Sequence, residues 1–418
     1  MNRHLIRMLL SLSLGWITFA VRADEPPGGT RSTFAPNAAV VYWQAFATMP
    51  DLTHEEESIL GEAEYSADTP LTSELEPIVA RHEHALHELH RATRLHACDW
   101  QLDNDAGPNV LLPHLKYTQD LSRAALLRAR LRFKAGETDA AIDDVLTVFK
   151  LARDCGSSPI EICTAMDASI EETANAVLAA HLPILTREQF DRIEKTLQHL
   201  PARADIVSVI RGEEMLGYGW LKREIDANAA RLEDPVFREQ FLRKILADFG
   251  LFEPDGPAED GDDLEAKRAY ELYCSMSAAD LKVTLERLHA HYQTLARIAE
   301  LPLADRPARI DQMDPPPYIK KGFQIVSFEP KTTAEAPTFL AYRISPKAEI
   351  EFFSEERYQI QSHLLKQAIR VQRDGPQALE QIPGRFVEYK QTPTGFELRC
   401  TTGTPEKQPI TLSVGRPS

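Results

Sequence analysis

Five histidines lie between positions 82 and 96, and their type and spacing could form a metal site. Zinc proteases hold their metal with two helical histidines four positions apart, the first followed by Glu. The fourth position after His82 is Leu86, and His90 follows His87 by only three positions, so this motif is not formed. The candidates for a different metal site are His82, His84, His87 and His90. The alternative is that these are ordinary histidines on a helix surface.

Acidic residues offer two further kinds of chemistry. Asp99, Asp103 and Asp105, next to Trp100, could bind a cation or a small ligand, or could form a turn in which their side chains bond nearby amides while the Trp is buried. The acidic stretch 253–263 could bind calcium, although it lacks the ligand order and closing Glu of an EF-hand loop. Neither stretch has a complete motif.

Two pairs of adjacent glutamates lie in predicted helices, Glu171-Glu172 and Glu213-Glu214. Paired carboxylates can act as acid and base or hold two metal ions. Adjacent residues on a helix point about 100° apart, so at most one of each pair can face a given site. Without a Glu-x-x-His partner, we expect these residues on solvated helix faces.

The nucleophile and nucleotide motifs of common enzymes are missing: no GxSxG, no Cys/His signature, no Walker loop and no dinucleotide fingerprint. We therefore assign no catalytic residue and no cofactor. Of the five cysteines, Cys155 and Cys163 flank a Gly-Ser-Ser-Pro turn and are the candidate disulfide pair. The alternative is that both are buried thiols.

The clearest structural pattern is a helical hairpin in residues 121–156. Apolar residues recur at helical spacing on both sides of Ala135-Gly136, and Leu121, Ala125, Leu127 and Leu131 are expected to face a core. Gly136 can adopt the left-handed conformation that ends a helix. The small Ala129, the turn glycine and Ala141-Ile142 stand at the offsets of a tetratricopeptide (TPR) repeat, which this hairpin resembles.

The N-terminus predicts export. Arg3 and Arg7 precede an apolar run of about 14 residues, which is short for a membrane span, and Val21-Arg22-Ala23 fits a cleavage site. Residues 1–23 are thus a predicted signal peptide that makes the protein periplasmic or secreted, with an uncleaved anchor as the alternative. Removing them takes away three arginines and no acidic residue, which changes the net charge from −16 to −19. This charge excludes nucleic acid as a partner, and no later stretch predicts an integral membrane span.

The rest of the chain predicts a mainly α fold, an antiparallel helical-hairpin or TPR-like array followed by a small α+β domain. Residues 24–36 form a flexible leader, 37–310 the helical domain, 311–317 a proline-rich linker and 318–418 the small domain. One long helix is expected at 73–98 and another at 355–373. Alternating apolar residues predict strands at 323–328, 339–344, 349–353, 385–390, 396–401 and 410–414.

Several short blocks resemble uncharacterised exported helical proteins of planctomycete-type bacteria, over roughly residues 37–200. They are Cys98-Asp99-Trp100, Gly107-Pro108, and the stretches 111–115, 127–131 and 142–145. Near the C-terminus, Tyr389 and Gly395-Phe396-Glu397-Leu398 resemble a pseudopilin-like tail, with Gly384-Arg385-Phe386 in place of the usual Asp-Pro-Phe. The resemblance implies a helical exported protein and supplies no site residues.

The sequence therefore favours an exported non-catalytic protein that acts through an unidentified protein partner. One alternative is a periplasmic hydrolase or metalloprotein that uses the histidines at 82–96. Another is a component of an envelope or pilus-like assembly. The sequence leaves the oligomeric state open.

Overall fold

The computed structural model describes residues 36–64, 70–251, 263–310, 313, 318–321, 324–327, 330–345, 348–382, 385–400 and 409–415. The predicted signal peptide and all but the last residue of the leader lie outside these residues. So do all but the last residue of the acidic stretch 253–263 and most of the proline-rich linker. In the described part the fold is mainly α, with 16 helices and a small antiparallel sheet of three strands near the C-terminus, as the sequence predicts.

The first helices form the N-terminal part of the molecule. They are α1 Ala38–Ala47, α2 His54–Glu64, α3 Leu75–Arg81, α4 Glu83–Ala92, α5 His114–Ala135, α6 Thr138–Cys155, α7 Glu161–His181 and α8 Arg187–Gln198. The middle of the chain continues with α9 Ile206–Glu214, α10 Trp220–Asn228, α11 Pro235–Asp248, α12 Asp263–Cys274, α13 Ala278–Ala299 and α14 Arg306–Ile310. A single π-helical turn, Met215–Gly219, joins α9 to α10.

The last elements combine helices and strands. They are β1 Tyr318–Lys321, β2 Gln324–Ser327, α15 Ala336–Ile344, α16 Ala348–Asp374, β3 Val387–Gln391, β4 Phe396–Cys400 and β5 Ile410–Val414. Strands β1 and β2 form an antiparallel pair, and β3, β4 and β5 form a meander in which Leu398 faces both Tyr389 and Leu412. Strands β2 to β5 confirm the strands predicted at 323–328, 385–390, 396–401 and 410–414, although β3 begins two residues later than predicted. Positions 323, 328 and 401 lie outside the described residues.

The predicted helical hairpin is α5 and α6. Gly136 ends α5 in the left-handed conformation with φ 81°, and α6 begins two residues later. Leu121, Ala125 and Leu127 are buried and Leu131 is half-buried, which confirms the predicted inward face.

The buried apolar residues form two large cores. Core 1 combines residues of 38–198 with residues of 360–414, and core 2 is built from residues of 206–352. Helix α7 packs against both α6 and α16, and the amide of Gly415 donates to the carbonyl of Ala179, so the sheet is attached to the N-terminal helices. No helix in the described residues is both long enough and apolar enough to cross a bilayer.

Two strand predictions and one helix prediction are wrong. Residues 339–344 belong to α15, because Ala336, Leu340 and Ile344 are buried at helical spacing and Pro337 occupies the first turn. Residues 349–353 are the beginning of α16. The long helix predicted at 73–98 is two shorter helices that meet at His82, and the second one ends at Ala92.

Candidate functional site

Two clefts flank the first turns of α7. Cleft A, of about 260 Å³, lies between α7, α9 and α16, and cleft B, of about 430 Å³, lies on the other side, toward the π-helical turn. Glu161 and Ala165 line both. Cleft A is otherwise lined by Thr164, Ala168, Arg203, Ala204, Asp205, Ile206, Val209, Ser354, Glu355, Tyr358 and Gln359.

The start of α7 is held by α9. Gly212 permits the close approach, since a Cβ at this position would lie 1.8 Å from the carbonyl oxygen of Pro159. The next residue, Glu213, then accepts a hydrogen bond of 2.8 Å from the amide of Glu161. This bond satisfies a free amide at the helix N-terminus, and the local sequence supplies no side-chain cap there. Burial raises the pKa of Glu213.

Arg203 and Tyr358 form the polar part of the cleft A wall. The guanidinium of Arg203 lies 3.7 Å from the centroid of the Tyr358 ring, and its Nε is 3.0 Å from Oδ2 of Asp167. Arg203 also donates to the carbonyl of Thr164. These contacts hold Arg203 in place, so this cation is already neutralised by a carboxylate of the protein.

Two buried carboxylates lie behind that wall, one helical turn apart on α7. Glu171 pairs with Arg153, which also donates to the Tyr358 hydroxyl over 2.5 Å. Asp167 is fully buried, and burial, followed by the nearby charge of Glu171, raises its pKa, whereas the charges of Arg203 and Arg153 lower it. Neither carboxylate lines cleft A.

The structure separates the predicted metal candidates. His82 is buried, its Nδ1 is 2.9 Å from the carbonyl oxygen of Ile78, and burial lowers its pKa. His84 and His87 are exposed, whereas His90 pairs with Asp144. No three His, Cys, Asp or Glu side chains in the described part of the chain are arranged to hold a metal ion.

His90 instead belongs to a buried ion cluster that joins α4, α5 and α6. Asp144 is fully buried, and its carboxylate lies 2.6 Å from Arg128, 2.8 Å from Arg132 and 2.8 Å from Nε2 of His90. The other ring nitrogen of His90 is 3.0 Å from the hydroxyl of Thr147. Burial alone would raise the pKa of Asp144, but the bonds from His90 and Arg128 outweigh it and lower the pKa. Glu83 adds a second carboxylate, 2.8 Å from Arg128. The cluster therefore joins three helices through charged groups that pair with one another.

The acidic stretch near Trp100 is a turn. The side chain of Asp99 accepts a hydrogen bond of 2.9 Å from the amide of Gln101, which is the bonding expected of an Asx turn. Trp100 is buried and donates to the carbonyl of Asp154 over 2.8 Å. Asp103 and Asp105 are exposed, and Asp105 lies 3.5 Å from Arg223.

The two members of each glutamate pair point in different directions, as predicted, but the expectation that all four lie on solvated helix faces is wrong for Glu171, which is buried. Glu171 is buried against Arg153, while Glu172 lies on the surface, 2.7 Å from Arg357. Glu213 faces the start of α7, while Glu214 lies 3.0 Å from Nδ1 of His289.

All five cysteines are thiols. Cys155 and Cys163, the candidate disulfide pair, are both fully buried in one small apolar cluster with Leu115, Ile160 and Leu216. Burial raises the pKa of Cys163 to about 12 and that of Cys155 well above its usual value. Neither is therefore a reactive thiolate at neutral pH.

Sequence reasoning missed several buried polar residues. Tyr42 donates to Asp154 over 2.6 Å, and His114 stacks on Trp100 with ring centroids 4.4 Å apart. One pattern could have revealed such residues. Asp144 and Arg128 lie among apolar neighbours at helical spacing, and a charged residue on an inward face needs a buried partner.

Comparison with protein-family models, with curated proteins and with solved structures finds no match for this chain.

Proposed function

We propose that this chain is an exported non-catalytic protein that acts by binding another protein, with cleft A as the contact surface. One observation carries this proposal: cleft A combines apolar walls with charged groups that already have partners within the protein. Asp205 accepts from the amide of Ser208 over 2.7 Å, Glu355 pairs with Arg306, and Arg203 pairs with Asp167. Charged side chains that are held by such bonds can fix the orientation of a bound protein, but they are poorly suited to transferring protons.

The charges at the cleft favour a basic partner. Glu161, Asp205 and Glu355 line it, whereas Arg203 is the one cationic residue among the described lining residues. The whole chain adds a net charge of −16. A partner segment that places Lys or Arg beside Leu, Ile, Val or Phe would match both the acidic edge and the apolar walls.

A peptide-display selection against the mature protein, residues 24–418, tests this proposal. We expect enrichment of segments that combine basic and large apolar residues. Ala168→Arg places a cation inside the cleft and should weaken binding of the selected peptides at least tenfold. Ser169→Arg is the matched control, because Ser169 is exposed and does not line the cleft.

Thermal unfolding of both variants checks that the fold is intact. Enrichment of acidic peptides, or equal binding by the wild type and the Ala168→Arg variant, would refute the proposed contact surface.

A further inference from the structure

We propose that cleft B binds the primary ammonium group of a small organic amine, whose hydrocarbon or aromatic tail lies along the apolar wall. This proposal concerns a different hollow from the protein contact at cleft A and does not depend on it.

The wall of cleft B suits a small apolar ligand. Its volume of about 430 Å³ is in the range of about 300–1,000 Å³ typical of small-molecule sites. Apart from two glutamates and two glycines, all its described lining residues are apolar or aromatic, among them Leu112, Ile162, Phe249, Tyr292 and Ile344. Such a surface stabilises a hydrocarbon tail by removing it from water.

The charge of cleft B selects a cation. Glu161 and Glu213 both line it, and no Lys, Arg or His is among its described lining residues. Oε1 of Glu213 accepts from the Glu161 amide, while Oε2 has no hydrogen-bond partner in the described part of the chain. An ammonium group would donate a charge-assisted hydrogen bond to Oε2 of Glu213. A carboxylate ligand would be repelled by the charge of Glu213.

Two aromatic rings add a second reason for a cation. Phe249 and Tyr292 line the cleft, and the faces of aromatic rings attract ammonium groups. Tyr292 is fixed because its hydroxyl donates to the carbonyl of Glu213 over 3.0 Å. Gly217 permits this approach, since a Cβ there would lie 2.8 Å from the Tyr292 oxygen. Gly217 lies in the π-helical turn, a rare conformation that is often found at functional sites.

Isothermal titration of the mature protein with hexylamine tests the site, with hexanoate and hexanol as probes of equal chain length. We expect saturable binding of hexylamine and none of hexanoate, with hexanol at least tenfold weaker. Binding of hexylamine should weaken as the pH falls and Glu213 is protonated. Hexanol or hexanoate binding as well as hexylamine would overturn the proposal.

Glu213→Gln keeps an oxygen for the Glu161 amide and removes the charge, so it should fold and lose hexylamine affinity at least tenfold. Glu214→Gln is the matched control and should bind like the wild type. Ile162 lines the cleft with half its surface exposed, so Ile162→Trp should fold and obstruct the site. Unchanged affinity in both Glu213→Gln and Ile162→Trp would refute the site, whatever the result at cleft A.

Discussion

Arg203 and Tyr358 are in direct contact, with the guanidinium carbon 3.7 Å from the ring centroid, although 155 positions separate them in the chain. Arg153 donates to the hydroxyl of the same tyrosine. Tyr358 of α16 therefore contacts two arginines from the N-terminal half of the chain, one through its ring and one through its hydroxyl. This contact forms part of cleft A and also holds α16 against α7.

Tyr358 is expected to stabilise the protein through both its ring and its hydroxyl. Tyr358→Phe removes the acceptor for Arg153 and should lower the free energy of unfolding by about 1–2 kcal/mol. Tyr358→Leu also removes the ring beneath Arg203 and should cost about 1 kcal/mol more. Urea unfolding measures both. Equal losses in the two variants would show that the ring contact contributes nothing.

His114 should make the protein sensitive to acid. It is fully buried, its ring nitrogens make no hydrogen bond with any described residue, and burial lowers its pKa from 6.5 to about 4. Between these values the unfolded chain binds a proton at His114 and the folded chain does not. Stability is therefore lost as the pH falls from about 6.5 to 4, by up to about 1.4 kcal/mol per pH unit.

His114→Phe keeps a ring on Trp100 and removes the titrating group. Its stability relative to the wild type should increase as the pH is lowered, as measured by urea unfolding at pH 7.5, 6 and 5. A constant difference between the two proteins across this range would contradict the assignment.

Asp144 and Asp143 are adjacent, but the first is buried and the second exposed, so the same substitution at both positions compares a buried ion pair with a surface one. Asp144→Asn removes the buried carboxylate that Arg128 and Arg132 share, so that Arg128 keeps only the exposed Glu83, and should destabilise the protein by about 3 kcal/mol. Asp143 is exposed and lies 3.4 Å from Arg192, so Asp143→Asn should cost less than about 1 kcal/mol. Chemical unfolding of both variants provides the measurement. Similar losses would mean that the buried cluster is no more important than a surface ion pair.

Two glycines should respond in opposite ways to alanine. Gly212→Ala would force α9 away from the Pro159 carbonyl and should lower the melting temperature. At Gly61, in α2, a Cβ meets nothing within 4 Å, so Gly61→Ala should raise helix stability by up to about 1 kcal/mol. Calorimetry distinguishes the two. A neutral Gly212→Ala would contradict the close contact between α9 and the start of α7.

Export predicts a specific mature N-terminus. When the full-length chain is expressed in a Gram-negative host, cleavage after Ala23 should give a periplasmic protein that begins at Asp24. N-terminal sequencing of the periplasmic fraction measures this. Replacing Leu9 and Leu10 in the apolar run with Arg is the control and should leave the chain uncleaved in the cytoplasm. A membrane-bound chain that keeps Met1 would instead support the uncleaved anchor.

Local patterns predicted most of the fold. The hairpin at Gly136 and the strands at 396–401 and 410–414 depend on periodicity and turn chemistry within a few residues, and those predictions were correct. Residues 339–344 alternate like a strand, but the buried face of α15 includes Ala336, which lies before the alternating segment. The prediction failed because the segment considered, 339–344, begins after Ala336 and so includes only part of the buried helical face.

The candidate sites were less predictable. The metal hypothesis used histidines that are near in sequence, whereas the structure turns His82 inward and pairs His90 with Asp144 on another helix. The cluster around Tyr358 requires contacts over separations of up to 205 residues, which no local pattern contains. In the sequence, Glu213 stands out only as half of a glutamate pair, because its role depends on how closely α9 approaches Pro159.

The composition of core 1 has a consequence for biogenesis. A chain exported in the unfolded state emerges from its translocation channel beginning with its N-terminal segments, yet core 1 needs residues 360–414 together with residues 38–198. If the chain is exported as proposed, helices α1 to α8 keep part of their apolar surface uncovered until α16 and the sheet emerge from the channel. We expect the chain to be sensitive to proteases during that interval.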